Sequence, residues 1–336
     1  MRSFTLQVKR VLLRVLNRLG SFVPRDVETR LTRAEEDLFE KFRAPAETVP
    51  VVFILAAPRT GSTMLYQLMA KCLRLHYFSN YVVEYFPTHP LVGTVIESII
   101  ADDLADGISL RSRYGETAGL HEPSEATKLL DNWFPHEHPS ETASDRIRRG
   151  KRPHLVDTVS GVTSFTGLPL VIKNAWNCFR VKELAAAFPA ARFVWLRRDI
   201  VSSSFSALKA RRRQGDPSEI WNSASPANYA EIRGLPYIEQ VVEQQYWTND
   251  AVAKSLRDFV PAEQWVEVWY EDVLAEPLAA LEMIDERIPR SGALEPPLLS
   301  TVQDLDLRPS NPDVKSDEFD QVLQYAGAKY PNLVRH

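Results

Sequence analysis

Val51-Val52-Phe53-Ile54-Leu55-Ala56-Ala57-Pro58-Arg59-Thr60-Gly61-Ser62-Thr63 decides how this chain is read. The unbroken apolar run over 51–57 predicts a strand buried on both faces, as in a parallel sheet. A tight polar turn follows, and then Met64, Leu65, Leu68, Met69, Cys72 and Leu73 fall on one face of a helix. A strand, a Gly/Ser/Thr turn and a helix N-terminus together make an anion site. The unpaired amides of the first helical turn point at the ligand, and the helix dipole favours negative charge. Gly61 lets the backbone come close, while Thr60, Ser62 and Thr63 offer hydroxyls. Arg59 brings a permanent charge and a planar fork of donors. An ordinary strand-to-helix turn capped by Ser62 or Thr63 is the plainer reading. Four polar or glycine residues beside an arginine favour the anion site.

The same grammar recurs downstream. Strands are predicted at 170–172, 192–196 and 265–269, and helices at 180–188, from 200 into the cluster Lys209, Arg211, Arg212 and Arg213, and at 277–288. Alternation of this kind predicts an α/β fold of three layers, α/β/α, around a central parallel sheet. Ligands in such folds sit beyond the carboxyl ends of the strands. Residues 93–167 are rich in His, Pro and charge, and read as an insertion over the sheet. Residues 47–336 read as one domain containing it, after a linker at 44–50. Residues 1–46 read as an amphipathic helical segment with a second, charged helix at 31–42. In its first helix Phe4, Val8, Val11, Leu12, Val15, Leu16 and Leu19 oppose Lys9, Arg10, Arg14 and Arg18. Packing on its own domain is the favoured fate, with peripheral contact to an anionic membrane as the alternative.

Composition narrows the function. With 336 residues, 44% of them hydrophobic, the chain can bury a large core, and a net charge of -4 provides no basic field for nucleic acid. Cys72 and Cys178 have neither zinc-ligand spacing nor the look of a disulfide framework, so both read as buried thiols in a cytoplasmic protein. No window approaches the roughly 20 apolar residues of a membrane span. His136 and His138, two apart in a loop, are a weak metal signal, and no metal is expected.

At the end of the 192–196 strand stand Arg197-Arg198-Asp199, then Ser202, Ser203, Ser204 and Ser206. Here the chain resembles the sulfotransferases that use 3'-phosphoadenosine 5'-phosphosulfate (PAPS), in the branch of bacterial carbohydrate and protein-tyrosine enzymes. Pro58–Thr63 resembles their 5'-phosphosulfate loop, in the variant with arginine for lysine. Arg198 with Ser206, eight positions on, resembles their 3'-phosphate signature. Val171-Ile172-Lys173-Asn174 and Trp269-Tyr270-Glu271-Asp272-Val273 resemble further family blocks, and Ile200 departs from the proline that often follows Arg-Asp. Four motifs in order are far more specific than any one. The resemblance implies a P-loop-like nucleotide-binding fold, with PAPS as co-substrate held by Arg59, Thr60, Gly61, Ser62, Thr63, Arg198, Ser206 and Tyr270.

Sulfuryl transfer, like phosphoryl transfer, needs an in-line nucleophile and cations on the transferring and leaving oxygens. By resemblance Arg59 and Lys173 supply those cations, and Glu84 occupies the place of the catalytic base. A partly buried setting would raise its pKa towards working pH. His121 and Glu122 are competing bases. Together with Glu125 they belong to the stretch expected to roof the acceptor pocket. The acceptor is a small molecule or glycolipid bearing a hydroxyl: a carbohydrate, small alcohol or phenol. Trp133, Phe134 and Trp176 could stack on a ring, although core packing is their commoner fate. The nearest rival is a small-molecule kinase, opposed by the missing G-x-x-x-x-G-K-[ST] lysine. A nucleotide-binding protein without catalysis is the second.

Overall fold

A computed structural model describes residues 25–100, 108–110, 112–113, 116–135, 147–288, 299, 302, 305, 307 and 316–335. Its centre is a sheet of four parallel strands: β1 (Val51–Ala56), β2 (Leu170–Lys173), β3 (Arg192–Arg197) and β4 (Trp265–Trp269), in the order β2-β1-β3-β4. In register, Ile54 lies opposite Lys173 on one side and Val194 on the other. The loop after β1, Lys173 and Arg197 therefore all emerge at the same edge of the sheet.

The principal helices are α1 (Arg25–Phe42), α2 (Ser62–Cys72), α3 (Asn80–Tyr85), α4 (Pro90–Ile100), α5 (Arg152–Thr166), α6 (Val181–Ala187), α7 (Ile200–Gln214), α8 (Tyr237–Phe259), α9 (Tyr270–Ala275), α10 (Pro277–Asp285) and α11 (Asp317–Lys329). Every residue of β1 is buried, and the two-residue period of a strand deals them to opposite faces. Val51, Phe53 and Leu55 join one core with residues of α5, α6 and the end of α8. Val52, Ile54 and Ala56 join another, filled by Leu65, Leu68, Met69 and Cys72 of α2 and by Leu281 and Ile284 of α10. A third cluster lies between α7, α8 and α11. Helices on both faces of a parallel sheet are the expected three-layer fold.

Some boundaries differ from the sequence reading. Helix α1 begins at Arg25, ahead of the expected 31, and Leu31, Ala34, Leu38 and Phe39 pack against the main core. Thus residues 25–42 belong to the same packed body. The helix expected at 4–19 lies outside the described residues, as do His136 and His138. The segment 93–167, read as an insertion, contains α5, a 15-residue helix absent from the predicted elements. Its Thr, Ser and Gly content hides the helical period, because burial of Thr158, Ser160, Gly161 and Thr163 rather than propensity holds it in place. Trp133, Phe134 and Trp176 are buried side chains of the core region, so they offer no open ring face. Cys72 and Cys178 are free, buried thiols.

Candidate active site

The loop after β1 is shaped by its own residues. Arg59 (φ 67°) and Gly61 (φ 86°) both adopt left-handed backbone, which curls the chain around Thr60. The Thr60 hydroxyl donates to the Ala57 carbonyl at 2.7 Å. That contact closes the turn. Gly61 is required twice over. Its φ suits glycine, and a Cβ there would stand 2.4 Å from ring atoms of Tyr270. Gln245 of α8, which the sequence reading passed over, donates to the Pro58 carbonyl at 2.9 Å and pins the entry to the loop. An isolated glutamine mid-helix carries no local signal of such a role.

The predicted anchors converge on this loop. Arg198, just past β3, donates to the Arg59 carbonyl at 3.1 Å, and its guanidinium carbon lies 4.4 Å from the centre of the Tyr270 ring. Arg59 Nε donates to Ser206 Oγ at 3.3 Å. Arg59, Gly61, Arg198, Ser206 and Tyr270 therefore form one continuous group, although they are spread over more than two hundred positions of sequence. Burial and then the neighbouring Arg198 depress the Arg59 guanidinium pKa. Two cations held close, one of them partly desolvated, make a site that an anion would relieve. Asp199 caps α7 through the Ser202 amide at 2.7 Å, while Arg197 turns away to sit 4.2 Å from the Trp269 ring centre.

Lys173 ends β2 buried, with 5% of its surface exposed. Its ammonium donates to Thr63 Oγ1 at 3.3 Å, in the first turn of α2, and pairs with Glu125. Asn174 holds the Glu125 carbonyl at 3.0 Å. Ser62 and Thr63 are buried at the head of α2.

The candidate bases fare differently. Glu84 is exposed and paired with Lys128, so the partly buried setting expected for it is not what α3 provides. Glu122 is buried and occupied: it accepts from Gln67 Nε2 at 2.9 Å and from the Ser109 amide at 2.6 Å. His121 Nδ1 meets the Glu97 carboxylate at 2.7 Å, and Ser79 Oγ donates to the other Glu97 oxygen at 2.8 Å. Among the described residues no group of three or more His, Cys, Asp or Glu is arranged to hold a metal ion.

A parallel sheet whose first strand runs into a curled, arginine-bearing loop, with a second arginine and a lysine at neighbouring strand ends, defines an α/β protein with its cations gathered at the carboxyl ends of its strands. The sequence profile described as the sulfotransferase family matches residues 50–288, and the chain belongs to that family. No curated protein matches the sequence. Among solved structures, the sulfotransferase STF9 from Mycobacterium avium is similar at a TM-score of 0.54 and 14% identity, over 90% of this chain and 80% of that one. Sulfotransferase STF1 from Mycobacterium tuberculosis gives 0.47 and 14%, over 88% and 81%. The first shows that the chain shares the P-loop-like fold of sulfotransferases.

Proposed function

We propose that this sulfotransferase takes its sulfuryl group from PAPS and passes it to an acceptor hydroxyl on a carbohydrate, a glycolipid, or a small alcohol or phenol. The observation that carries the reading is the convergence of Arg59, Arg198, Ser206 and Tyr270 on one loop, with Lys173 touching Thr63 beside it. In this reading the loop amides, Ser62 and Thr63 hold the 5'-phosphosulfate, Arg198 and Ser206 hold the 3'-phosphate, and Tyr270 keeps Arg198 in place. Lys173 and Arg59 neutralise charge on the transferring group and on the leaving phosphate oxygen. Fixed donors aimed at developing charge are the largest ordinary source of catalysis. The reaction then needs no metal, and the enzyme works in the cytoplasm.

The rival kinase reading predicts a different ligand. The product nucleotide, 3'-phosphoadenosine 5'-phosphate (PAP), should raise the melting temperature, since a ligand bound only by the native state stabilises it by mass action. ATP with Mg²⁺ should do much less, and transfer from PAPS should survive excess EDTA. Equal or greater stabilisation by MgATP would transfer the case to a kinase.

A further inference from the structure

We infer that Glu125 is the catalytic residue that takes the proton from the acceptor hydroxyl, and that Lys173 holds its carboxylate in position before transfer. The inference rests on the sulfuryl-transfer reading above. Among the described residues Glu125 is the one carboxylate paired with Lys173, and that ammonium also touches Thr63 of the anion loop at 3.3 Å. Glu125 is therefore one contact away from the group that meets the sulfuryl oxygens. Its backbone is fixed as well, since Asn174, the residue after Lys173, grips the Glu125 carbonyl at 3.0 Å and Thr127 Oγ1 at 3.3 Å. The lysine end of the pair is sealed, with 6% of its side chain exposed, but 36% of the Glu125 side chain is open. An acceptor can approach the carboxylate from that open side. A base must first be within hydrogen-bond reach of the proton it removes, and the open side of the Glu125 carboxylate leaves room for that approach.

The other candidates lack the combination. Glu84 is exposed against Lys128, Glu122 spends its oxygens on Gln67 and the Ser109 amide, and the Nδ1 of His121 is turned to Glu97. The step balances on this chain's own groups. The acceptor O–H proton passes to the Glu125 carboxylate as the acceptor oxygen bonds to sulfur. The bond from sulfur to the bridging oxygen breaks, and its electron pair stays on the 5'-phosphate. Lys173 moves its hydrogen bonding from Glu125 towards the departing charge, which frees the carboxylate oxygen that the proton needs. Protonated Glu125 then releases the proton to solvent.

The test follows label from PAPS to 2-naphthol, octyl glucoside and water, with PAP affinity measured by calorimetry on the same preparations. Glu125→Gln should lose about 10²–10⁴ in kcat, the usual contribution of a positioned base, while PAP affinity changes by less than about threefold. Glu125→Asp, which keeps the carboxylate, should recover part of the rate, and this variant carries the test if Glu125→Gln does not fold. Glu84→Gln and His121→Ala, made in parallel, should each lower kcat by far less than Glu125→Gln does. Turnover preserved in Glu125→Gln, or a large loss in Glu84→Gln alone, overturns the assignment while leaving the donor reading intact. A fall in PAP affinity equal to the fall in kcat makes Glu125 a donor-site residue and overturns it too. A parent enzyme that transfers label to none of the three acceptors removes the sulfuryl-transfer reading, and the inference falls with it.

Discussion

Arg198 donates to the Arg59 carbonyl and lies against the face of the Tyr270 ring, while Arg59 itself is a second cation close by. A guanidinium against an aromatic face is held in place and keeps its charge. The same ring fills the space over Gly61, so one tyrosine fixes both the loop and the arginine beside it. Replacing Arg198 by alanine should therefore weaken PAP binding by about 1.5–3 kcal/mol, roughly 10- to 150-fold, the cost of a charge-assisted hydrogen bond. It should also erase the preference for PAPS over the same donor lacking its 3'-phosphate. Calorimetry on the folded variant checks both. An unchanged PAP affinity would take Arg198 out of the site.

One scale up, the helices over the sheet are locked together by groups that titrate. Glu35 of α1 is 2% exposed and accepts from the first amides of α4, Leu91 at 3.0 Å and Val92 at 2.7 Å. It caps from another helix, a role that no local sequence pattern announces. Burial outweighs those two hydrogen bonds and pushes its carboxyl up from 4.5 to about 7. The folded protein therefore binds more protons here than the unfolded chain between pH 4.5 and 7, and stability contributed by this group falls as pH rises through that window. The whole shift corresponds to about 3 kcal/mol. Burial lowers His76 and His154 to about 4, and lowers His89 as well, so these three act in the opposite sense below their ordinary pKa. The clean observable is thus a difference. Denaturation of the parent relative to Glu35→Gln should show the parent losing about 3 kcal/mol between pH 4.5 and pH 8. A flat difference would mean that the two amide hydrogen bonds keep Glu35 charged throughout.

At the scale of the whole molecule, what the sequence made legible was local. Period and polarity alone marked Val51–Ala56, the loop to Thr63 and the strand end at Arg198, because a doubly buried strand and a Gly-bearing turn leave their signature within a dozen residues. The pairing of Lys173 with Glu125, the tether from Gln245 and the burial of Glu122 are contacts between distant segments, which periodicity cannot register. Helix α11 makes further contacts of this kind. Phe319 meets Phe205 of α7 edge-on, with ring centres 5.3 Å apart, and buried Glu243 of α8 accepts from Tyr325, Lys329 and Tyr330 at 2.8–2.9 Å. The chain then reaches Arg335, whose amide donates to Asp199 at 2.9 Å. Its guanidinium lies 3.7 Å from the Trp269 ring centre and 3.0 Å from Asp272. Asp199 follows Arg198 and Trp269 precedes Tyr270, so the segment at Arg335 braces both halves of the proposed nucleotide anchor. Arg335→Ala keeps the amide and loses an exposed ion pair and a cation–π contact, together about 1 kcal/mol. If that bracing is transmitted, PAP affinity should fall about three- to fivefold while kcat at saturating donor is unchanged. Lys329→Ala, which loosens α11 on α8 without touching either anchor segment, should lower the melting temperature and leave PAP affinity alone. Equal effects of the two variants on PAP affinity would reduce the C-terminal segment to a general support of the fold.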